Sequence, residues 1–353
     1  DGLIRSWNDA DWIGAPARVG GKIAGLIGAA AHEVVVADST SVNLFKLLAA
    51  ALAIRPGRRA ILTERGNFPT DLYVAQGLAS MVPGVEIRAV AREAVENSID
   101  GEVAVVLLTH VHYKSAERWD MAAITARAHA AGALSLWDLS HSAGAIEVDL
   151  RVCRADLAVG CGYKYLNGGP GAPAFLFVAE ALHEAARSPL SGWMGHAAAF
   201  DFVDDYRPAA GIKRFLCGTP PILGLLALEV GVDIAFEADM GAVERKAARL
   251  WNLFAGQVEA RCGEHGFELL THRDAARRGS HIAFAHPKAY RIMGALIARG
   301  VIGDFRDPDV LRFGVTPLYI GYEDAWRAVE TLYEVMRNGD WRDAPERPVG
   351  RVT

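Results

Sequence analysis

From residue 34 to about residue 178, short apolar runs rich in valine and leucine alternate with stretches of helical period. The apolar runs are VVVAD (34–38), AILTE (60–64), VEIRAV (85–90), VAVVLLTH (103–110), ALSLWDL (133–139), LAVGCG (157–162) and APAFLFV (172–178). Their length and β-branched content mark them as buried strands. Between them, SVNLFKLLAAALAI (41–54) and WDMAAITARAHAAG (119–132) place apolar residues at helical spacing, and Gly132 closes the second as a C-terminal cap. The alternation predicts an α/β fold built on a mostly parallel seven-stranded sheet with helices on both faces. In that architecture ligands bind beyond the carboxyl ends of the strands.

After residue 220 the texture changes. Two long helical segments, PPILGLLALEVGVDIAFEA and MGAVERKAARLWNLFAGQVEARCGEHG, precede the shorter pieces HIAFAH, KAYRIMGALIARG, VIGDFR, VLRFGVT and EDAWRAVETLYEVMRNG. These predict a large domain over residues 1–237, then a linking helix and a small α+β C-terminal domain over 238–353. Internal repeats are absent.

Bulk composition narrows the function. With 353 residues, 51% hydrophobic and 22% charged, the chain has material for a large core. A net charge of −5 and no cluster of Lys and Arg argue against a nucleic-acid partner. The apolar stretch around 220–236 is interrupted by Glu229 and Asp233, which argues against a membrane span. Cys153, Cys161, Cys217 and Cys262 have neither zinc-site nor disulfide-scaffold spacing, so no metal is expected and a cytoplasmic, reduced setting is. The chain starts at Asp1 inside structured-looking sequence, so a preceding segment is expected.

Strand ends are where the chemistry is expected. Ser39, Thr40 and Ser41 follow VVVAD and open a helix, which makes either a phosphate site or an ordinary helix cap. Asp138 ends the strand in WDLSHSAG, with His141 one turn on. The pair reads either as a carboxylate for a cationic ring nitrogen with a tuning histidine, or as a cap with a satisfied core residue. Lys164 stands between Tyr163 and Tyr165, at the junction of an apolar run and a glycine-proline loop. Lysines withheld from water become nucleophilic amines able to form Schiff bases. Its alternative, a surface lysine in a turn, fits poorly with flanking tyrosines. A phosphate site, an acidic partner for a pyridinium and a Schiff-base lysine together describe pyridoxal 5'-phosphate (PLP).

Over nearly its whole length the sequence resembles the kynureninases of bacterial type, members of PLP fold type I. The resemblance runs through DSTSVNLFKLL, NFPTDLYVAQGL, WDLSHSAGAIEVDL, CGYKYLNGGPG, GWMGH, CGTPPIL and LRFGVTPLY. It implies that Lys164 carries the cofactor and that Thr40 and Ser41 hold its phosphate. Phe68 would stack on the ring, with Asp71 close by. Asp138 would pair with the pyridinium nitrogen beside His141, and Tyr163 would be both a phosphate contact and an acid-base group. Trp193 and Thr219 would come from the neighbouring subunit of a homodimer. Arg312 would bind the substrate α-carboxylate through its fork. Trp7, Gly218 and Thr219 would face the aromatic ring in the pattern that favours kynurenine over its 3-hydroxy derivative.

The implied reaction is hydrolysis of L-kynurenine to anthranilate and L-alanine by Cβ–Cγ cleavage, a step of tryptophan breakdown. Two rivals stand beside it. One is another fold-type-I enzyme, a cysteine desulfurase with Cys217 as nucleophile or an aminotransferase. The other is a PLP-binding domain without turnover. The family also has an N-terminal segment with no counterpart here, so its contacts are unassigned.

Overall fold

A computed structural model describes residues 3–345; the outermost residues of both expected domains, 1–2 and 346–353, lie outside the described residues. The chain divides into two units, Asp1–His110 with Trp119–Ala238, and Val111–Arg118 with Asp239–Thr353.

All seven apolar runs are strands of one sheet in the first unit: β1 (Val34–Val36), β2 (Ala60–Glu64), β3 (Glu86–Val90), β4 (Val103–Thr109), β5 (Leu134–Asp138), β6 (Leu157–Cys161) and β7 (Ala174–Val178). Their order is β1-β7-β6-β5-β4-β2-β3. The pairs from β3 through β6 are parallel, and β7 runs antiparallel to both β6 and β1. The mostly parallel sheet expected from the alternation is therefore present. Several strands stop earlier than their apolar runs. VVVAD gives a three-residue strand because Asp38 turns the backbone at φ 47° and Ser39 already caps the next helix.

The helices of this unit are α1 (Ser6–Asp9), α2 (Ala15–Leu26), α3 (Thr40–Ile54), α4 (Pro69–Met81), α5 (Met121–Ala130) and α6 (Ile222–Glu237). Local chemistry sets their ends. Pro69 opens α4, where its missing N–H costs nothing. Asp120 caps α5 by accepting the Ala123 N–H at 2.9 Å, and Gly132 leaves it at φ 77°. The apolar face of α3, with Leu44, Leu47, Leu48 and Ala51, is fully buried in one core with Ile61, Leu107, Leu136 and Val159 from the sheet. A methylene lost from such a core costs stability through both transfer and cavity terms.

The second unit has the helices α7 (Met240–Cys262), α8 (Ala289–Ala298) and α9 (Tyr322–Asn338). Its sheet contains β8 (Glu268–Leu269), β9 (Ile282–Ala285), β10 (Asp304–Arg306) and β11 (Val310–Phe313), antiparallel in the order β10-β11-β9-β8. Leu250, Phe254, Phe284, Leu296 and Leu332 share its core. The two-residue β8 carries no legible period. Residues 111–118 also join this unit through the Arg118 N–H to the Arg277 carbonyl (2.9 Å), the Gly279 N–H to the Ala116 carbonyl (2.8 Å) and the Arg118–Glu244 ion pair (3.0 Å).

The charges that interrupt the apolar segment around 220–236 have structural work. On α6, Glu229 accepts from Arg18 Nε (2.9 Å), Arg18 Nη2 (3.0 Å) and Lys22 Nζ (2.9 Å) of α2, while Lys22 also pairs with Asp233 (2.6 Å). Among the described residues no helix is long and apolar enough to cross a membrane. Hydrogen bonds from Arg18, then those from Lys22, pull Glu229 down to about 2 against the opposing effect of burial. Its contribution is present above the unfolded carboxylate value and lost as pH falls through the folded one. Glu229→Gln is expected to cost about 1–2 kcal/mol at pH 7 by thermal or urea unfolding. The gap from wild type should close as pH drops from about 4.5 toward 2.

Candidate active site

Parallel pairing brings the carboxyl ends of neighbouring strands to one edge of the sheet, and the first unit's polar residues collect there. Thr109, the last residue of β4, lies beside Asp138, the last residue of β5. Asn67, Phe68 and Asp71 follow β2, and Lys164 comes three residues after β6. The turn after β6 depends on Gly162: a Cβ there would meet the Pro173 carbonyl oxygen at 2.3 Å. Asn167 then takes φ 57°, and the Gly168 N–H returns to the Gly162 carbonyl at 2.9 Å.

Lys164 is half-buried, with Nζ 3.2 Å from His141 Nε2. Its ammonium is 5.8 Å from the Phe68 ring centre and 5.7 Å from that of Tyr163. Of the two flanking tyrosines, Tyr165 is buried at 8% exposure and Tyr163 is 53% exposed.

Asp138 is 2% exposed and its Oδ1 accepts the Ser140 N–H at 2.7 Å, so it caps a turn and not a helix. Among the described residues it has no ion-pair partner within contact distance. Burial raises its pKa, opposed by Ser140 and the charge of Lys164. Asp71 is fully buried and raised further, first by burial and then by the charge of Asp138.

One threonine hydroxyl links Asn67 to Asp71. Asn67 Oδ1 accepts the Phe68 N–H at 2.8 Å and stands 2.5 Å from Thr109 Oγ1, which is 3.1 Å from Asp71 Oδ2. A hydroxyl carries one hydrogen. The Thr109 hydroxyl is therefore shared as a donor between Asn67 Oδ1 and Asp71 Oδ2. Burial and the charge of Asp138 push Asp71 further toward its neutral form than burial pushes Asp138. Asn67 and Thr109 were not among the residues expected from sequence. Thr109, as the end of a buried strand, carried the same positional signal as Asp138.

The other expected residues do not make these contacts. Thr40 and Ser41 are half-buried on the first turn of α3, where Ser39 Oγ caps the Val42 N–H at 3.4 Å. Trp193 is 38% exposed beside Phe200 and Phe202, at ring distances of 5.6 and 6.2 Å. Gly218 and Thr219 are exposed. Trp7, on α1, packs edge-on against Trp12 at 6.0 Å.

Arg312 lies on β11 of the second unit, directly opposite Asp304. Its fork already holds Asp304, with Nε to Oδ1 at 2.9 Å and Nη2 to Oδ2 at 2.5 Å, while Nη1 donates to the Tyr113 carbonyl. An ion pair within the strands is thus part of its role. By the donor inventory of a guanidinium, one N–H is left on each terminal nitrogen.

The arrangement fits PLP. A buried carboxylate without a counter-charge suits a protonated ring nitrogen, the lysine amine stands nearby, and a phenyl ring faces the same amine. The sheet and its strand-end cluster are of PLP fold type I. The fold matches the apo cysteine desulfurase of Thermococcus onnurineus NA1 with a TM-score of 0.79 at 19% identity, covering 93% of this chain and 85% of that one. It matches the C-DES protein with glycine covalently linked to its PLP cofactor with a TM-score of 0.77 at 15% identity, covering 95% and 88%.

Sequence places the chain more narrowly. Residues 243–332 match the kynureninase C-terminal domain family. The chain is 50% identical to the kynureninase of Pseudomonas fluorescens over 350 residues, 98% of this chain and 84% of that protein. It is also 50% identical to the kynureninase of Burkholderia mallei (strain SAVP1) over 352 residues, with the same coverage. The chain belongs to the kynureninase family.

The shift of Asp71 toward its neutral form is testable. Asp71→Asn keeps the shape and a donor toward Thr109, so it should leave the thermal midpoint at pH 7 within about 2–4 °C of wild type. A loss of several kcal/mol, the usual cost of breaking a buried ionised site, would show that Asp71 is charged.

Proposed function

We propose that this chain is a PLP-dependent hydrolase that cleaves L-kynurenine between Cβ and Cγ to anthranilate and L-alanine, in tryptophan degradation. The observation that carries the reading is a half-buried Lys164 beside His141 on the sheet edge that ends in the buried Asp138, in a chain half identical to kynureninases over 98% of its length. PLP, when bound, supplies the electron sink that acidifies Cα–H and then makes the Cβ–Cγ bond cleavable.

The chain's own residues do the rest. Lys164 holds the cofactor and, when its amine is free, moves the Cα proton. Asp138, ionised, keeps a ring nitrogen protonated, and neutral Asp71 spares the site a second negative charge beside it. His141 positions the lysine amine at 3.2 Å. Phe68 stacks on the ring, and Thr40 and Ser41 at the start of α3 take the phosphate, where helix N–H groups favour an anion. Tyr163 contacts the phosphate and, solvent-facing, helps water add to the γ-carbonyl. The remaining N–H pair of Arg312, with its plane fixed by Asp304, takes the α-carboxylate.

Homodimer formation is supported by what the first unit leaves uncovered. Leu223, Ala227, Val230 and Ile234 form an exposed apolar stripe along α6, and Trp193, Phe200 and Phe202 form an exposed aromatic group. Apolar surface of this extent marks an association face. In a dimer Trp193 and Thr219 would complete the neighbour's site. Trp7, Gly218 and Thr219 offer little polar chemistry to a ring hydroxyl, which supports a preference for unsubstituted kynurenine. Four free cysteines accord with a cytoplasmic setting.

PLP-loaded protein given L-kynurenine should release fluorescent anthranilate and turn over 3-hydroxykynurenine more slowly. No release would overturn the assignment. Lys164→Ala should reduce release by about 10²–10⁴-fold or more. Light scattering of the wild type should give a dimer that Val230→Asp converts into monomers with loss of activity, whereas an active monomer would refute a shared site.

A further inference from the structure

Lys46 has no place in the reading above, yet its side chain is fully buried in the middle of α3. The helix there reads LFKLLAAALAI, so a leucine would have suited the core. A buried ammonium is costly unless paired and hydrogen-bonded. Lys46 Nζ forms an ion pair with Asp38 and donates to the Phe215 carbonyl at 2.7 Å.

Both partners bear on residues already discussed. Asp38 sits at φ 47° one residue before Ser39, with its carbonyl held by the Ala174 N–H at 2.9 Å. Its carboxylate therefore stands at the N-terminal end of α3, whose first residues are Thr40 and Ser41. That end favours an anion, and an uncompensated carboxylate there would repel an incoming phosphate. Phe215 lies just before Cys217, Gly218 and Thr219, and the Cys217 carbonyl accepts the Met194 N–H at 3.2 Å. One ammonium thus neutralises the acid beside the phosphate turn and fixes the backbone leading to Thr219.

We propose that Lys46 is a positioning residue for the cofactor phosphate: by cancelling the Asp38 charge and holding the turn from Asp38 to Ser41, it makes the start of α3 receptive to a phosphate dianion. The proposal rests on the PLP reading. Its distinguishing consequence is that Lys46 matters for the phosphate and not for the ring.

The test titrates cofactor-free protein with PLP and, separately, with pyridoxal, which lacks the phosphate, following absorbance and tryptophan fluorescence. Lys46→Met should weaken PLP by about tenfold or more, as expected when one member of a buried charge pair is removed, and change pyridoxal binding by less than about twofold. The double variant Asp38→Asn/Lys46→Met carries neither charge and should regain PLP binding to within about threefold of wild type. It also covers the case in which Lys46→Met alone does not fold. Equal losses for PLP and pyridoxal, or no loss for either, would overturn the proposal, as would a double variant that stays selectively poor for PLP. Wild-type protein that binds neither ligand would remove the PLP reading itself, an outcome distinct from the others.

Discussion

A carboxylate held away from water at the end of a parallel strand is the constraint around which the first unit is arranged. Asp138 is 2% exposed, and its hydrogen bond from the Ser140 N–H is too little to offset the loss of solvent. Two features reduce the cost. The charge of Lys164 favours the ionised form, and Asp71 is pushed toward its neutral form, first by burial and then by Asp138. The sheet makes this possible because parallel register sets Thr109 directly beside Asp138, and the loops after β2 and β6 bring Asp71 and Lys164 to the same edge.

The legible parts of this site are those that follow from position on a strand. Every apolar run became a strand, and a polar residue at the end of such a run is conspicuous because nothing in the core needs it. Lys164, Asp138 and His141 stand out in the sequence for that reason. Asn67 and Thr109 were not, since an asparagine and a threonine at strand ends are also ordinary turn chemistry. Their part emerges only from hydrogen-bond distances between two strand ends, those of β2 and β4. Residues 111–118 were assigned by pattern to the first unit, but backbone bonds to Arg277 and Gly279 join them to the second, which no local period announces. The pairing of Arg312 with Asp304 depends on β10–β11 register, again a nonlocal fact.

Shared architecture does not decide the reaction here. The structural neighbours named above are 15–19% identical, and one of them is a cysteine desulfurase, so the sheet serves chemistry at sulfur as well. A desulfurase requires a mobile thiol. Cys217 is instead held by its carbonyl, which accepts the Met194 N–H and lies where a Cβ on Gly192 would fall at 2.3 Å. A cysteine whose backbone is packed this closely cannot swing with a loop. The 50% identity to kynureninases then selects among chemistries that the fold alone leaves open.

Two groups of internal charges in the same unit show how stability and function use electrostatics differently. Glu229 is surrounded by Arg18 and Lys22, its pKa falls to about 2, and the pairing has no partner left to acquire. Asp138 has the opposite balance: burial raises it, and no cation of the described residues pairs with it directly. Structural ion pairs are complete within the fold, whereas a site meant for a charged ligand keeps part of its electrostatic complement outside the chain. By that criterion Asp138 differs in kind from Glu229. Arg312 is intermediate, since Asp304 fixes the plane of its guanidinium and leaves its outer edge with donors to give. An arginine anchored on one side in this way has little freedom left to lose, so the ion pair preorganises whatever its outer edge meets.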